Sequence, residues 1–268
     1  MIDTLKSTFK ENWQWRKQIG RLAVFELIKK SRGAVLSWAW LFLKPAIFII
    51  VFWFALDIGL RVGDEMDPPY FLWLIAGLVP WFFMQEMIGT GSDVLHRYPY
   101  LVNKLKFPLS GISTLYTLST LFVHVGLVIG VFLIYLCMGA PIDIHLIQIP
   151  FIILIMAFFF NMFSIFASHL SALSKDFSNL IKAFLTPIFW LSGIIYDVTS
   201  LNIPWIQNIL MFNPVTFFAT AFRDAFYYRI WVWENPKALI CFGIVFAATF
   251  LLTLVVYKRL RMEVSDAL

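Results

Sequence analysis

The chain has 268 residues, of which 60% are hydrophobic and only 14% charged, and its mean hydropathy is +0.80. Soluble domains carry roughly 25% charged residues, so this surface must largely face lipid, which excludes a soluble enzyme, a nucleic-acid module and a disulfide scaffold. The net charge of +5 reads instead as basic loops on the inner side of a membrane.

The first 35 residues are basic and polar, without the short apolar core of a cleavable signal peptide. Within them Trp15, Ile19, Leu22, Phe25 and Ile28 recur at three- and four-residue spacing. That spacing predicts an amphipathic helix over 12–32 lying in the inner headgroup region, with Trp13, Trp15, Arg16 and Arg21 at the interface. A spanning helix needs about 20 apolar residues. Six segments come close in chain order: 36–60, 70–90, 113–139, 144–174, 180–196 and 238–257. The fifth is the shortest. The link 197–236 is apolar but carries Pro204 and Pro214 with Asn202, Asn208 and Asn213. Its residues leave two readings open: an outer loop with one surface helix, or a re-entrant pair of short helices.

Basic residues fix the orientation. With the N-terminus inside, Lys6, Lys10, Arg16, Lys17, Arg21, Lys29, Lys30, Arg32, Arg97, Lys104, Lys106, Lys175, Lys182, Lys258, Arg259 and Arg261 all fall on the inner side. The outer side holds Arg61, Arg223, Arg229 and Lys237, and acids dominate its first loop at Asp64, Glu65 and Asp67. The bias predicts an all-α, multi-pass plasma-membrane protein with six spans, N-in and C-in. Its parts are an N-terminal segment over 1–35, a transmembrane domain over 36–257 and a cytoplasmic tail over 258–268.

Chemical machinery is sparse. His96, His124, His145 and His169 are scattered without metal-ligand spacing, and Cys137 and Cys241 sit apart in apolar runs. Gly89-Thr90-Gly91 lacks the lysine of a phosphate-binding loop. Asp57 and Glu86 lie near span ends, so no acid sits at a midplane as an ion-coupled carrier requires. His124, mid-span, reads as a hydrogen-bonded packing residue. No catalytic site, metal or cofactor is expected in this chain, and uphill transport would need a separate energy-supplying subunit. The inner loop 93–110 is the exception to this plainness. Pro99 and Pro108 bracket about two helical turns in which Leu101, Val102, Leu105 and Phe107 alternate with Asn103, Lys104 and Lys106. A short apolar patch on an inner loop marks a partner site.

The runs P-Y-F-L-W-L-I-A-G-L-V-P-W-F-F at 69–83 and Y-L-V-N-K-L-K-F-P at 100–108 resemble the membrane subunit of ABC-2-type polysaccharide exporters. So do S-R-G-A-V-L-S-W-A-W-L-F-L-K-P at 31–45, L-S-K-D-F at 173–177, T-P-I-F-W at 186–190, Asn213-Pro214 and the closing Y-K-R-L-R-M-E-V-S-D-A-L. The resemblance covers nearly the whole chain in order. F-W-F-A-L-D-I-G-L-R at 52–61 and L-F-V-H-V at 121–125 look closest to the teichoic acid branch. It implies a homodimer of six-span subunits with two copies of a separate ATPase, which binds ATP and Mg, and a lipid-linked glycopolymer as cargo. It also implies a re-entrant pair over 197–236 and a coupling helix in loop 93–110. The coupling residues are then Tyr100, Leu101, Lys104, Leu105, Lys106 and Phe107, with Lys175 and Asp176 in the inner turn. That turn has Lys175 where the family usually has arginine, and lysine does not reproduce the bidentate fork.

Aromatic residues make up 18% of the chain. Sugar rings pack on aromatic faces, although Trp and Tyr also form interface belts and Phe also faces lipid. The family's channel runs along the first and fifth spans, which makes Trp38, Phe42, Phe52, Phe189, Trp190 and Tyr196 its candidate lining. Lys44, about 12 Å inside the membrane at helical rise, either snorkels inward or meets a substrate phosphate. The expected cargo is wall teichoic acid, with O-antigen or capsular polysaccharide as the alternative. A passive channel or ion-coupled carrier lacks its midplane acids here, and a membrane-embedded transferase lacks its acid cluster.

Overall fold

A backbone in hydrocarbon must satisfy its own hydrogen bonds, and the computed structural model contains helices and their links, with no strand among the described residues. It describes residues 2–31, 36–63, 66, 68–105 and 107–267, with side chains over 6–30, 36–63, 66, 68–102 and 107–264. Helices α1 (Ile2–Gln14) and α2 (Arg16–Ser31) precede α3 (Ala39–Trp53), which continues as a π-helical turn to Gly59. Then come α4 (Tyr70–Gly89), the short α5 (Val94–Arg97) and α6 (Pro99–Leu105), and the long α7 (Leu109–Cys137). They are followed by α8 (Ile149–Leu173) and α9 (Lys175–Leu191). A hairpin of α10 (Pro204–Met211) and α11 (Pro214–Arg223) leads to α12 (Pro236–Ala267). Five runs among the described residues are long and apolar enough to cross a membrane: Ala39–Gly59, Tyr70–Arg97, Leu109–Cys137, Ile144–Leu173 and Pro236–Val264. At 17 residues α9 is shorter than these.

The core is built around α4, which is buried over most of its length and packs on α7, α8, α9 and α11. By contrast α3 has no buried residue.

Several boundaries move from their sequence-based positions. The expected amphipathic helix over 12–32 is two helices joined at Trp15, and its buried face is Ile19, Ala23, Glu26 and Leu27 rather than Phe25 and Ile28. Contact with α7 selects the small Ala23 for close approach, which a count of large apolar residues misses. Helix α9 starts at Lys175, where the expected fifth segment starts at 180, and stops at Leu191, so Lys175 and Asp176 are its first turn and Tyr196 lies beyond it. Extended Ser174 starts it, and left-handed Gly193 (φ +64°) prevents its continuation. Helix α7 starts at Leu109, directly after Pro108, rather than at 113. No break separates a tail from the last apolar helix: α12 runs through Lys258, Arg259 and Arg261 to Ala267. Arg32, Asp64, Glu65, Asp67 and Lys106 lie outside the described residues.

One buried cation organises the end of the fold where α4, α11 and the turn after α9 meet. Arg223, 3% exposed, donates from Nε to the Trp73 carbonyl at 3.3 Å and from Nη1 to the Gly193 carbonyl at 2.6 Å. Nη2 donates to the Ile194 carbonyl, and the guanidinium lies 3.4 Å over the Trp73 ring. The left-handed turn at Gly193 belongs to the link that presents two of these carbonyls. Gly77 leaves the space: a Cβ there would stand 2.6 Å from the Arg223 Cζ and 2.8 Å from Nε. Around this centre Trp73 Nε1 donates to the Tyr228 hydroxyl at 2.9 Å, Tyr70 to the Ile195 carbonyl at 3.2 Å and Tyr135 to the Leu72 carbonyl at 2.9 Å. Below it the Phe222 ring packs on His124, near the middle of α7, at 5.7 Å. Gly77→Ala should therefore destabilise the chain by about 2–4 kcal/mol, because it displaces a charge that has nowhere else to go. Thermal unfolding in detergent measures this. Arg223→Lys should be about as damaging, since an ammonium cannot serve three carbonyls in a fork.

Candidate functional site

Two surfaces carry the residues singled out from the sequence. The first is built from the α4–α7 connection. Pro99 and Pro108 limit α6 to Pro99–Leu105, as two prolines of this spacing require. Leu101, Val102 and Phe107 are buried within the chain, and the Phe107 ring meets Trp15 edge-on at 5.0 Å. The apolar patch expected to face a partner is thus largely buried within the chain, with Phe107 against the N-terminal helices. Tyr100 remains exposed at 47%. The side chains of Lys104 and Leu105 lie outside the described ones, and Lys106 outside the described residues. Preceding α6, Tyr98 is buried, and burial, reinforced by the Glu26 carboxylate, pushes its hydroxyl up out of the titrating range.

An ion pair ties this connection to α9. Lys182 Nζ lies 2.9 Å from Asp93 Oδ2, and His96 Nδ1 lies 2.8 Å from the other carboxylate oxygen. Lys175 and Asp176, at the start of α9, are exposed.

The second surface is aromatic. Phe52 packs on Phe189 at 5.3 Å and on Trp190 at 6.4 Å, which joins α3 to α9. Phe48 adds contacts to Phe52 at 4.5 Å and Phe189 at 5.8 Å, and Trp81 reaches Phe189 at 5.5 Å. The sequence reading missed Phe48 and Trp81; the four-residue spacing of Phe48 and Phe52 was the available signal. Of the predicted lining, Phe52, Phe189 and Trp190 come together. Phe189 is buried while Trp190 is 52% exposed, so Trp190 presents the open face of the cluster. Trp38 and Phe42 are exposed nearer the start of α3, where Phe42 lies against Gly126 of α7. Tyr196 donates back to the Leu191 carbonyl at 3.0 Å and stands apart from the ring cluster. At the N-terminal helices, Arg16 caps the Trp13 carbonyl at 2.9 Å and lies 4.5 Å over its ring, while Arg21 is exposed.

His124 packs between Phe83 at 5.4 Å and Phe222, with the Val79 backbone as its polar neighbour. No group of three or more His, Cys, Asp or Glu side chains among the described residues could hold a metal ion.

Residues 17–227 match the family model of the ABC-2 type transporter. The chain is 20% identical over 219 residues to the O-antigen export system permease protein RfbA of Myxococcus xanthus, covering 81% of this chain and 83% of that protein. It is 23% identical over 250 residues to a protein of the same name from Klebsiella pneumoniae, with 91% and 92% covered.

The inward packing of α6 separates two of its residues experimentally. Leu101→Asp should lower stability by about 2–4 kcal/mol, since it buries a carboxylate without a partner. Tyr100→Ala should stay within about 0.5 kcal/mol of the parent. Thermal unfolding of both variants at matched detergent and salt is the check.

Proposed function

The chain belongs to the ABC-2 type transporter family, and from that premise we propose that it is the membrane subunit of an ATP-driven exporter of a lipid-linked surface polysaccharide. The names of the Myxococcus and Klebsiella relatives support an O-antigen-like glycan as the class of cargo. The observation that carries the reading is the exposed aromatic face shared by α3 and α9. Helix α3 has no buried residue, and Trp190 with the Phe48–Phe52–Phe189 cluster offers flat apolar rings beside it. Stacked rings hold successive sugars weakly and in many registers, which suits a long sliding chain. A second copy of the chain facing this surface closes a path between two subunits. Wall teichoic acid is the second reading, favoured by the segments 52–61 and 121–125.

Six spans, N-in and C-in, complete the proposed topology in the plasma membrane, with α9 as a short fifth crossing and α10–α11 as a re-entrant hairpin. The packing of Phe222 on mid-span His124 supports that hairpin. Energy comes from two copies of a separate ATPase, which holds ATP and Mg. Its contact is the surface formed by exposed Tyr100 with Lys104, Leu105 and Lys106, together with Lys175 and Asp176, while buried Leu101 and Phe107 hold that surface from beneath. The Asp93–Lys182 pair then carries movement from that surface to α9.

Reconstitution with the partner ATPase and a defined lipid-linked glycan tests the reading. Phe52→Ala combined with Trp190→Ala should slow export about three- to tenfold, the worth of lost ring contacts, with complex assembly unchanged. Ile240→Ala with Ile244→Ala, on exposed positions of α12, should have no effect. Equal behaviour of the two pairs contradicts the proposed path. Replacing the glycan by a lipid-linked poly(polyol phosphate) decides between the two cargoes.

A further inference from the structure

The link from α11 to α12, residues 224–235, begins with a buried acid. Asp224 is 6% exposed and opens a π-helical turn, Asp224–Tyr228, that follows α11 directly. Its side chain has no ion pair and no hydrogen bond among the described residues. We propose that Asp224 is a proton-operated latch: protonated, it keeps this link packed on the body, and its ionisation releases the link.

A buried carboxyl group without a partner is costly as an ion and tolerable as a neutral acid. Two acids nearby add to the cost, Asp197 in the link after α9 and Glu234 before α12, while Arg223 offsets part of it. Burial and then the Asp197 charge push the Asp224 carboxyl up to about 7, against the pull of Arg223. Arg223 is already committed to the carbonyls of Trp73, Gly193 and Ile194.

The other titratable groups of the surrounding elements are engaged as well. Tyr70 on α4 and Tyr135 on α7 donate to backbone carbonyls, and Tyr228 donates to Asp197 at 3.2 Å. His145, ahead of α8, lies 3.0 Å from Asp143, and Glu234 accepts from the Trp231 amide at 3.0 Å. Lys237 at the start of α12 donates to Asn208, and Arg229 is exposed. An ionised Asp224 therefore gains most by moving into water.

The geometry puts the acid at the root of the link. Its own carbonyl accepts from the Ile230 amide at 2.9 Å, across a turn that ends on left-handed Arg229 at φ +57°. Beyond that turn the link is fastened by few bonds. Tyr227 donates to the Pro68 carbonyl at 2.6 Å. Gln148 donates to the Ile230 carbonyl at 2.8 Å and accepts from the Val232 amide at 3.0 Å.

The sign of the pH effect follows. A carboxyl in water loses its proton near about pH 4, whereas packed Asp224 keeps it up to about 7. The proton's stabilisation of the packed link is complete below the lower value and is lost as pH rises through the upper one. Acid locks the link, and neutral pH loosens it. The inference is independent of the cargo and of the number of spans.

Hydrogen exchange read by mass spectrometry tests it, on the full chain in lipid nanodiscs from about pH 5 to about pH 8. Rates are corrected for the intrinsic pH dependence of exchange, and peptides of α4 are the internal control. Wild-type peptides over 224–235 should lose protection at least about tenfold between about pH 5 and about pH 7, since one proton can supply about tenfold per pH unit. The α4 peptides should not. Asp224→Asn, which keeps the shape of the neutral acid, should hold its protection across the whole range. If that variant does not fold, the wild-type link and α4 peptides still decide. Constant wild-type protection over 224–235, or a loss in step with α4, overturns the proposal. So does the same pH dependence in Asp224→Asn.

Discussion

Arg223 must leave water to reach its position, and no carboxylate forms an ion pair with it there among the described residues. Its charge is distributed instead over the carbonyls of Trp73, Gly193 and Ile194 and the face of the Trp73 ring. Hydrogen bonds to a charged group contribute about 1.5–3 kcal/mol each, and an uncompensated buried charge costs several kcal/mol. The arrangement is therefore close to all-or-none. Because the acceptors belong to α4 and to the turn after α9 while the donor ends α11, one side chain fixes three elements at once.

The rest of the fold follows from that constraint. With the turn after α9 held, Phe189 is placed against Trp81, and Phe48 and Phe52 of α3 close over it. Near its middle α9 is joined separately to the α4–α7 connection by Lys182 on Asp93. The helix α3 meets the body through rings, with Trp53 on Phe71 at 5.7 Å and Phe48 on Phe82 at 5.7 Å. Each such ring pair contributes about 0.5–1.5 kcal/mol beyond its buried area, so α3 is held by several modest contacts rather than by one strong bond.

The sequence made the helical class and most crossings legible because hydropathy over 20 residues is a strong, local signal. The α6 helix was equally legible, since Pro99 and Pro108 bound it. Which way its side chains point was not. Leu101 is buried, and the neighbouring Phe107 meets Trp15, about 90 residues earlier in the chain. The rotation of α2 onto Ala23 has the same origin, a partner helix distant in sequence. Lys175 and Asp176 read as a turn because charges usually end a span; here they form the first turn of α9, with Asp176 at the positive end of the helix. Arg223 was counted only as an outer charge. An arginine amid Phe217, Phe218, Phe222 and Phe226 was the available hint that it lies inside the protein.

The proposed topology places the α10–α11 hairpin, anchored by Arg223, within the membrane. Spin labels placed singly at Ile209, Phe212 and Trp233, in a chain with Cys137→Ser and Cys241→Ala, test it directly in liposomes. All three native side chains are exposed on the subunit, so labels there should leave the packing intact. Collision rates with oxygen and with a water-soluble nickel chelate then report depth. The account predicts that Ile209 and Phe212, at the hairpin turn, meet oxygen and exclude the chelate, whereas Trp233 meets the chelate. Equal access of the chelate to all three positions would place the hairpin in water and contradict it.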